Sequence, residues 1–167
     1  AVAAARLVEQ AAAVAGIVYL RMSRPRTKVI YGLDEKFPVG GSKMLRKGNK
    51  DVVTIVTAGV TLFEALKAYD QLSAQGIGVR VVDAYSVKPL DVATLSCCAE
   101  ETGAFITVED HSAWGGLGEA VAAAVRVPRL EMLAVREVPR SAKPAELLAH
   151  HKLDAAAIVD AVRKLSR

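Results

Sequence analysis

The sequence predicts an α/β fold with an open, mainly parallel sheet and helices on both faces. From residue 51 onward, strand-like apolar runs alternate with segments of helical period. The first of these runs, 52–56, is continuous, as in a strand buried on both faces. Hydrophobic residues make up 52% of the 167 residues and aromatic ones only 5%, so the core must be built from Ala, Val, Leu and Ile. A chain of this length buries roughly 70% of the surface its unfolded form exposes, and needs no metal or disulfide to hold together.

Taken in chain order, residues 6–15 repeat Leu7, Ala11 and Val14 at helical spacing, and Gly16 then leads into a β-rich run at 17–20. A lone helix and strand cannot close a core, so this segment must lean on a missing part or pack against the rest. Pro25 should hold Ser23 and Arg24 extended at the end of that strand. Between about 27 and 49, Pro38, Gly40, Gly41 and Gly48 interrupt a stretch with little periodicity, which predicts an interdomain linker.

Residues 52–56 form a buried-strand run. Ala58-Gly59 turns the chain, and Leu62, Ala65, Leu66, Tyr69 and Leu72 share one helical face. Gly76 and Gly78 end that helix before the next strand at 79–82. Such a βαβ unit implies parallel strands and a right-handed crossover. Pro89-Leu90-Asp91 opens a helix reaching about Glu101, Gly103 stops it, and 104–108 is a third strand. Gly115, Gly116 and Gly118 lead into a helix through Val121 and Val125, and 130–135 is a fourth strand. Pro144 starts a short helix, and Asp154 caps a last one whose Ile158, Val159, Val162 and Leu165 share a face. The whole is a Rossmann-like βαβαβαβα alternation.

Twenty-two basic against 18 acidic residues leave a net charge of +4, spread along the chain. That excess suits anionic metabolites and a solvated surface equally. No aromatic-interleaved basic motif points to nucleic acid. No apolar run approaches the roughly 20 residues of a membrane span. The Ala-rich start carries Arg6 and Glu9 and lacks the basic n-region of a signal peptide. Cys97 and Cys98 are helical neighbours about 100° apart, unsuited to a mutual disulfide. Together these features predict a soluble chain in a reducing, cytoplasmic setting, with no nucleic-acid or membrane partner.

The most informative stretch is Thr107-Val108-Glu109-Asp110-His111, followed by Gly115-Gly116-Leu117-Gly118-Glu119. Ligands gather at the carboxyl ends of strands in open α/β sheets, and a glycine-rich turn exposes backbone N–H groups at a helix start. His111 then reads as an acid/base group or phosphate contact oriented by Glu109 or Asp110. It reads more readily as part of a turn or subunit interface in which Gly115 and Gly116 merely permit close packing. A dinucleotide fingerprint is absent, since the first strand is followed by only one glycine, in Ala58-Gly59-Val60.

Arg24, with Arg21 and Arg26 nearby, is either a phosphate fork or part of a solvated basic loop. The loop Val138-Pro139-Arg140-Ser141-Ala142-Lys143-Pro144 could bind an anion or simply stiffen a strand-to-helix connection. His150-His151 is placed in a loop with no third ligand at metal spacing, so no metal site is expected there. No nucleophile elbow or P-loop is present.

Read together, Ser23-Arg24-Pro25, Ala58-Gly59-Val60-Thr61-Leu62-Phe63-Glu64-Ala65, Val87-Lys88-Pro89-Leu90-Asp91, Val108-Glu109-Asp110-His111, Gly115-Gly116-Leu117-Gly118-Glu119-Ala120-Val121 and Val138-Pro139-Arg140-Ser141-Ala142-Lys143-Pro144 resemble transketolase, in order along essentially the whole chain. Deoxyxylulose phosphate synthases and the β subunits of 2-oxo acid dehydrogenases share this domain type. The Glu-Asp-His stretch and the Pro-Arg-Ser-x-Lys-Pro loop look more like transketolase, although Ala142 stands where relatives are expected to have glycine.

The resemblance implies a transketolase C-terminal domain-like fold at 51–167, a linker at 37–50, and at 1–36 the incomplete tail of a pyrimidine-binding domain. It implies a homodimeric transferase of the pentose phosphate pathway, moving a two-carbon ketol unit between sugar phosphates with thiamine diphosphate and a divalent metal, magnesium or calcium. This chain has no Gly-Asp-Gly metal-diphosphate motif and no candidate for the cofactor-activating glutamate. Alone it is expected to bind no cofactor and to be inactive, its partner being the missing N-terminal domains or subunit. By the same resemblance Arg24 would hold the substrate phosphate, and His111, Glu109, Asp110, Gly115 and Gly116 shift toward an interface or anion site away from the thiamine. The alternatives are a stand-alone interaction or regulatory module, or the C-terminal part of a related thiamine enzyme, a deoxyxylulose phosphate synthase or a 2-oxo acid dehydrogenase β subunit.

Overall fold

The structure, a computed structural model, describes residues 2–24 and 26–166. In chain order the elements are α1 (Val2–Ala11), β1 (Lys43–Arg46), β2 (Val53–Thr57), α2 (Thr61–Ala74), β3 (Val79–Asp83), α3 (Val92–Thr102), β4 (Ala104–Ser112), α4 (Leu117–Ala124), β5 (Arg129–Val135), α5 (Pro144–His150) and α6 (Ala155–Leu165). The strands lie in the order β1-β3-β2-β4-β5. All neighbours are parallel except β1, which pairs antiparallel with β3.

Alternation along the central strands divides the core between the two faces of the sheet. Ile55 and Ile106 face a cluster closed by Leu62 and Leu72 of α2 and Ile158 and Val162 of α6. Val56 and Phe105 face the other side, against Leu95 of α3 and Leu117 and Val121 of α4. The helices start and stop where local chemistry dictates. The Asp91 and Asp154 carboxylates accept the N–H groups of Thr94 and Ala157, and Gly103 ends α3 in a left-handed conformation. Cys97 and Cys98 are free. No helix among the described residues is long and apolar enough to cross a membrane.

Three expectations are corrected. Residues 17–20 form no strand, and Ile17 and Tyr19 are exposed. A β-rich run with no neighbouring strand leaves its N–H and C=O groups to water and gains nothing by extending. The helix predicted at 6–15 is α1, which starts earlier, ends at Ala11 and buries no residue. The stretch expected to be an irregular linker contains β1, and Tyr31 and Phe37 from it are buried, with Phe37 edge-to-face on both Tyr31 and Tyr85. The expected strand end at Ser23 and Arg24 is likewise missing, and the chain bends at Arg24; Pro25 itself lies outside the described residues.

This strap is pinned at the carboxyl end of β3, where the Tyr31 hydroxyl donates to the buried Asp83 carboxylate. Burial pushes the Asp83 carboxyl up to about 6, against the opposing pull of the Tyr31 hydrogen bond and Lys43. The folded state therefore holds this proton more tightly than the unfolded chain. The contribution of Asp83 to stability is greatest below the ordinary carboxylate pKa and is lost as pH rises through about 6. Folding stability is expected to fall by on the order of 2–3 kcal/mol between about pH 4 and 6 from this group alone. Urea unfolding of Asp83→Asn across that window should lack the slope; an unchanged slope would assign it to other groups.

Candidate functional site

The strand order reverses between β2 and β4: β2 leads through α2 to β3 on one side, while β4 leads through α4 to β5 on the other. The crevice beyond the carboxyl ends of such a pair is where open α/β sheets bind ligands. β4 runs on to Ser112, past the residue 108 end predicted for it, so it carries Glu109, Asp110 and His111 into this position.

Glu109 is 2% exposed, and its carboxylate occupies the start of α4. Oε2 accepts the N–H of Leu117 at 2.6 Å and Oε1 that of Gly118 at 2.9 Å. A strand side chain thus satisfies two of the donors a helix start leaves unpaired, with negative charge at the positive end of the helix dipole. A Cβ on Gly116 would run into the Glu109 carboxylate. At Gly118 it would lie 2.8 Å from Thr107 Oγ1 and 2.6 Å from Met132 Sδ. Gly115 has φ +69° and makes the turn, its N–H donating to Glu119.

His111 continues the chain of contacts outward. Its Nε2 lies 2.7 Å from Glu109 Oε2, and its Nδ1 lies 2.9 Å from Arg21 Nη1. A guanidinium only donates, so Nδ1 accepts and Nε2 carries the proton given to Glu109. Arg21 also donates to Asp110 Oδ1 at 3.2 Å. Both imidazole nitrogens are engaged, leaving neither free to serve a substrate. The arrangement favours holding together over proton transfer: Glu109 anchors α4, and His111 with Asp110 ties the N-terminal segment to the edge of the domain.

The cluster 109–111, Gly115 and Gly116 is thus brought together as a unit, and Arg24 is not part of it. Arg24 is exposed beside Pro25, while its neighbour Arg21, read from the sequence only as part of a basic stretch, makes the contacts. The structure also joins groups that sequence spacing kept apart. His150 is the last residue of α5 and His151 its C-cap, not loop residues, and Glu137 from beyond β5 meets both.

Known proteins place this geometry. The family model for the transketolase C-terminal domain matches residues 40–158. Transketolase-like protein 2 of Mus musculus is 47% identical over 167 residues, and transketolase of Rattus norvegicus 48% over 168; each alignment covers 98% of this chain and 27% of the relative. The chain therefore spans about a quarter of the length of these curated relatives. Among solved structures, "Split gene transketolase, inactive beta4 tetramer" superposes with a TM-score of 0.87 at 37% identity, covering 97% of this chain and 55% of that one. A 2-oxoglutarate:ferredoxin oxidoreductase from Magnetococcus marinus, at 17% identity and a TM-score of 0.59 over 76% of this chain and 20% of its own, shares the fold alone.

Proposed function

Because this chain belongs to the transketolase family, matching its C-terminal domain, we propose that it is the C-terminal portion of a transketolase, which moves a two-carbon ketol unit from a ketose phosphate to an aldose phosphate in the pentose phosphate pathway. The observation that carries this reading is the likeness to a split-gene transketolase chain over nearly all of the present one. That neighbour is described as an inactive tetramer, and by analogy this chain too is inactive until N-terminal transketolase domains are supplied. Residues 1–36 are read as the tail of the pyrimidine-binding domain, 37–50 as the connector that carries β1, and 51–167 as the domain supporting a cytoplasmic homodimer.

Thiamine diphosphate and magnesium or calcium belong, on this reading, to the supplied domains. The residues described here do not fit a diphosphate at the strand-order reversal. The α4 start is already filled by the Glu109 carboxylate, which uses its donors and repels a second anion. What this chain contributes toward substrate is Arg24, a guanidinium able to donate charge-assisted hydrogen bonds to a sugar phosphate.

The test is ketol transfer from xylulose phosphate to ribose phosphate, with thiamine diphosphate and magnesium, after mixing the chain with an N-terminal transketolase portion. Activity is expected only from the mixture. Arg24→Ala is expected to lower kcat/KM by about 10- to 100-fold through KM, with kcat little changed, as for one lost charged hydrogen-bonding group. Full activity of the variant, or turnover by this chain unaided, would overturn the assignment.

A further inference from the structure

The strongest unassigned cluster lies at the far edge of the sheet, where the chain leaves β5 and later returns at the end of α5. Glu137, His150 and His151 place one carboxylate oxygen and two imidazole nitrogens within 4.8 Å of one another. Glu137 Oε1 is 2.7 Å from His150 Nε2 and 4.0 Å from His151 Nδ1. We propose that this cluster is a zinc site, with Glu137, His150 and His151 as three ligands and the fourth position open to the cleft along β5.

Two observations support it. Zinc takes imidazole nitrogen and carboxylate oxygen at about 2.0–2.2 Å, so tetrahedral donors sit roughly 3.3 Å apart. The separations of 2.7 and 4.0 Å bracket that spacing, and side-chain shifts of about 1 Å reach it. The side chains that would move, on Glu137 and His150, are 63% and 36% exposed, while His151 is only 6% exposed and serves as the fixed anchor.

The second observation concerns His151 itself. Its Nε2 is buried with no hydrogen-bond partner, and its Nδ1 points toward Glu137 at 4.0 Å, too far to bond. Coordination at Nδ1 would fix the proton on Nε2 and leave that atom as unpartnered as before, so what His151 offers the ion is the lone pair of Nδ1. A cation competes for the cluster. Arg140 Nη2 lies 2.9 Å from His150 Nδ1 and 3.3 Å from Nε2. Arg136 and Lys152 line the same cleft, and Arg140 is the group an incoming ion displaces. In its absence Arg140 donates to Nδ1, so the His150 proton sits on Nε2, facing Glu137. Coordination through Nε2 requires that proton to leave or move to Nδ1, and Arg140 to withdraw.

Such an ion would join the end of β5 to the end of α5 across the intervening loop. Its affinity is read by calorimetric titration of the whole chain with zinc chloride, in a Cys97→Ser background because Cys97 is an exposed thiol. Cobalt substitution should give the absorption of a tetrahedral site. One zinc per chain is expected. Glu137→Gln and His150→Ala, both at exposed side chains, should each weaken it by about tenfold or more while leaving the circular dichroism unchanged. Arg140→Ala should tighten binding about threefold or more by removing the competing cation. His151→Ala should abolish it, and a loss of fold in that variant leaves the Glu137 and His150 results to decide. Absence of binding at about 100 μM zinc, or binding unaffected by Glu137→Gln, overturns the site. The latter outcome would mean that the histidine pair alone captures zinc.

Discussion

Replacing Arg80 with alanine is expected to destabilise the chain by about 3–5 kcal/mol, the cost of removing one partner from a buried ion pair. Arg80 lies on the fully buried β3, only 4% exposed, and its Nε donates to Asp51 Oδ2 at 3.3 Å. Its Nη1 donates to Glu101 of α3, which Lys47 also reaches at 3.0 Å. The Asp51 side chain is 1% exposed, and its Oδ1 has no partner. Without Arg80 it would keep its negative charge in the interior with only the Gly48 N–H to answer it.

Thermal unfolding should show a midpoint lower by roughly 10 °C or more. The paired change Asp51→Asn with Arg80→Met removes the buried charge as well as its partner, and should recover much of the loss. If Arg80→Ala unfolds like the parent in urea, the pair contributes nothing to the fold. Glu101 is more exposed, and its loss should matter less. Hydrogen bonds from Arg80 and then Lys47 hold the Glu101 carboxyl down to about 2. Its contribution is present above the ordinary carboxylate pKa and fades as pH falls toward 2, opposite in sign to that of Asp83.

The strands with most apolar burial were the most legible in the sequence. Val53–Thr57 and Val79–Asp83 are buried at every position, and β-branched residues, interrupted in the second by Arg80, mark them within about one residue. β1 has no such mark. It is four residues long, alternates half-buried with exposed positions, and begins with Lys43 and ends with Arg46. Only its pairing with β3 makes it a strand. Residues 17–20 show the converse, since β propensity without a partner strand yields no strand at all.

At the candidate site, spacing brought Glu109, Asp110, His111 and the glycines into one group but did not reveal that Glu109 caps α4. That depends on how the turn at 112–116 folds the helix start back over the strand. Which of Arg21, Arg24 and Arg26 meets the domain was equally hidden, because it is set by the path of the chain between α1 and the strap. Glu137 stands 13 residues before His150, and only the return of α5 beside β5 joins them.

Loss of the Glu109 carboxylate should be nearly as costly as loss of Arg80. Glu109→Ala leaves the N–H groups of Leu117 and Gly118 without their charged acceptor inside a buried turn, and frees His111 from its inner partner. Hydrogen bonds to a charged group contribute about 1.5–3 kcal/mol, so a loss of about 3 kcal/mol is expected. Glu109→Gln is the sharper probe, because it keeps the shape. With its oxygen toward Leu117 and His111, its amide would face the Gly118 N–H, donor against donor; flipped, it would face the other two.

The glutamine variant should therefore lose about 2 kcal/mol, where a role for mere packing predicts almost nothing. Amide exchange separates the two accounts locally. The Leu117 and Gly118 amides should exchange faster in both variants, by more than the change in global stability explains. Unchanged protection at these two amides in Glu109→Gln would show that α4 is held by its apolar face alone, through Leu117 and Val121 against Phe105 and Val56.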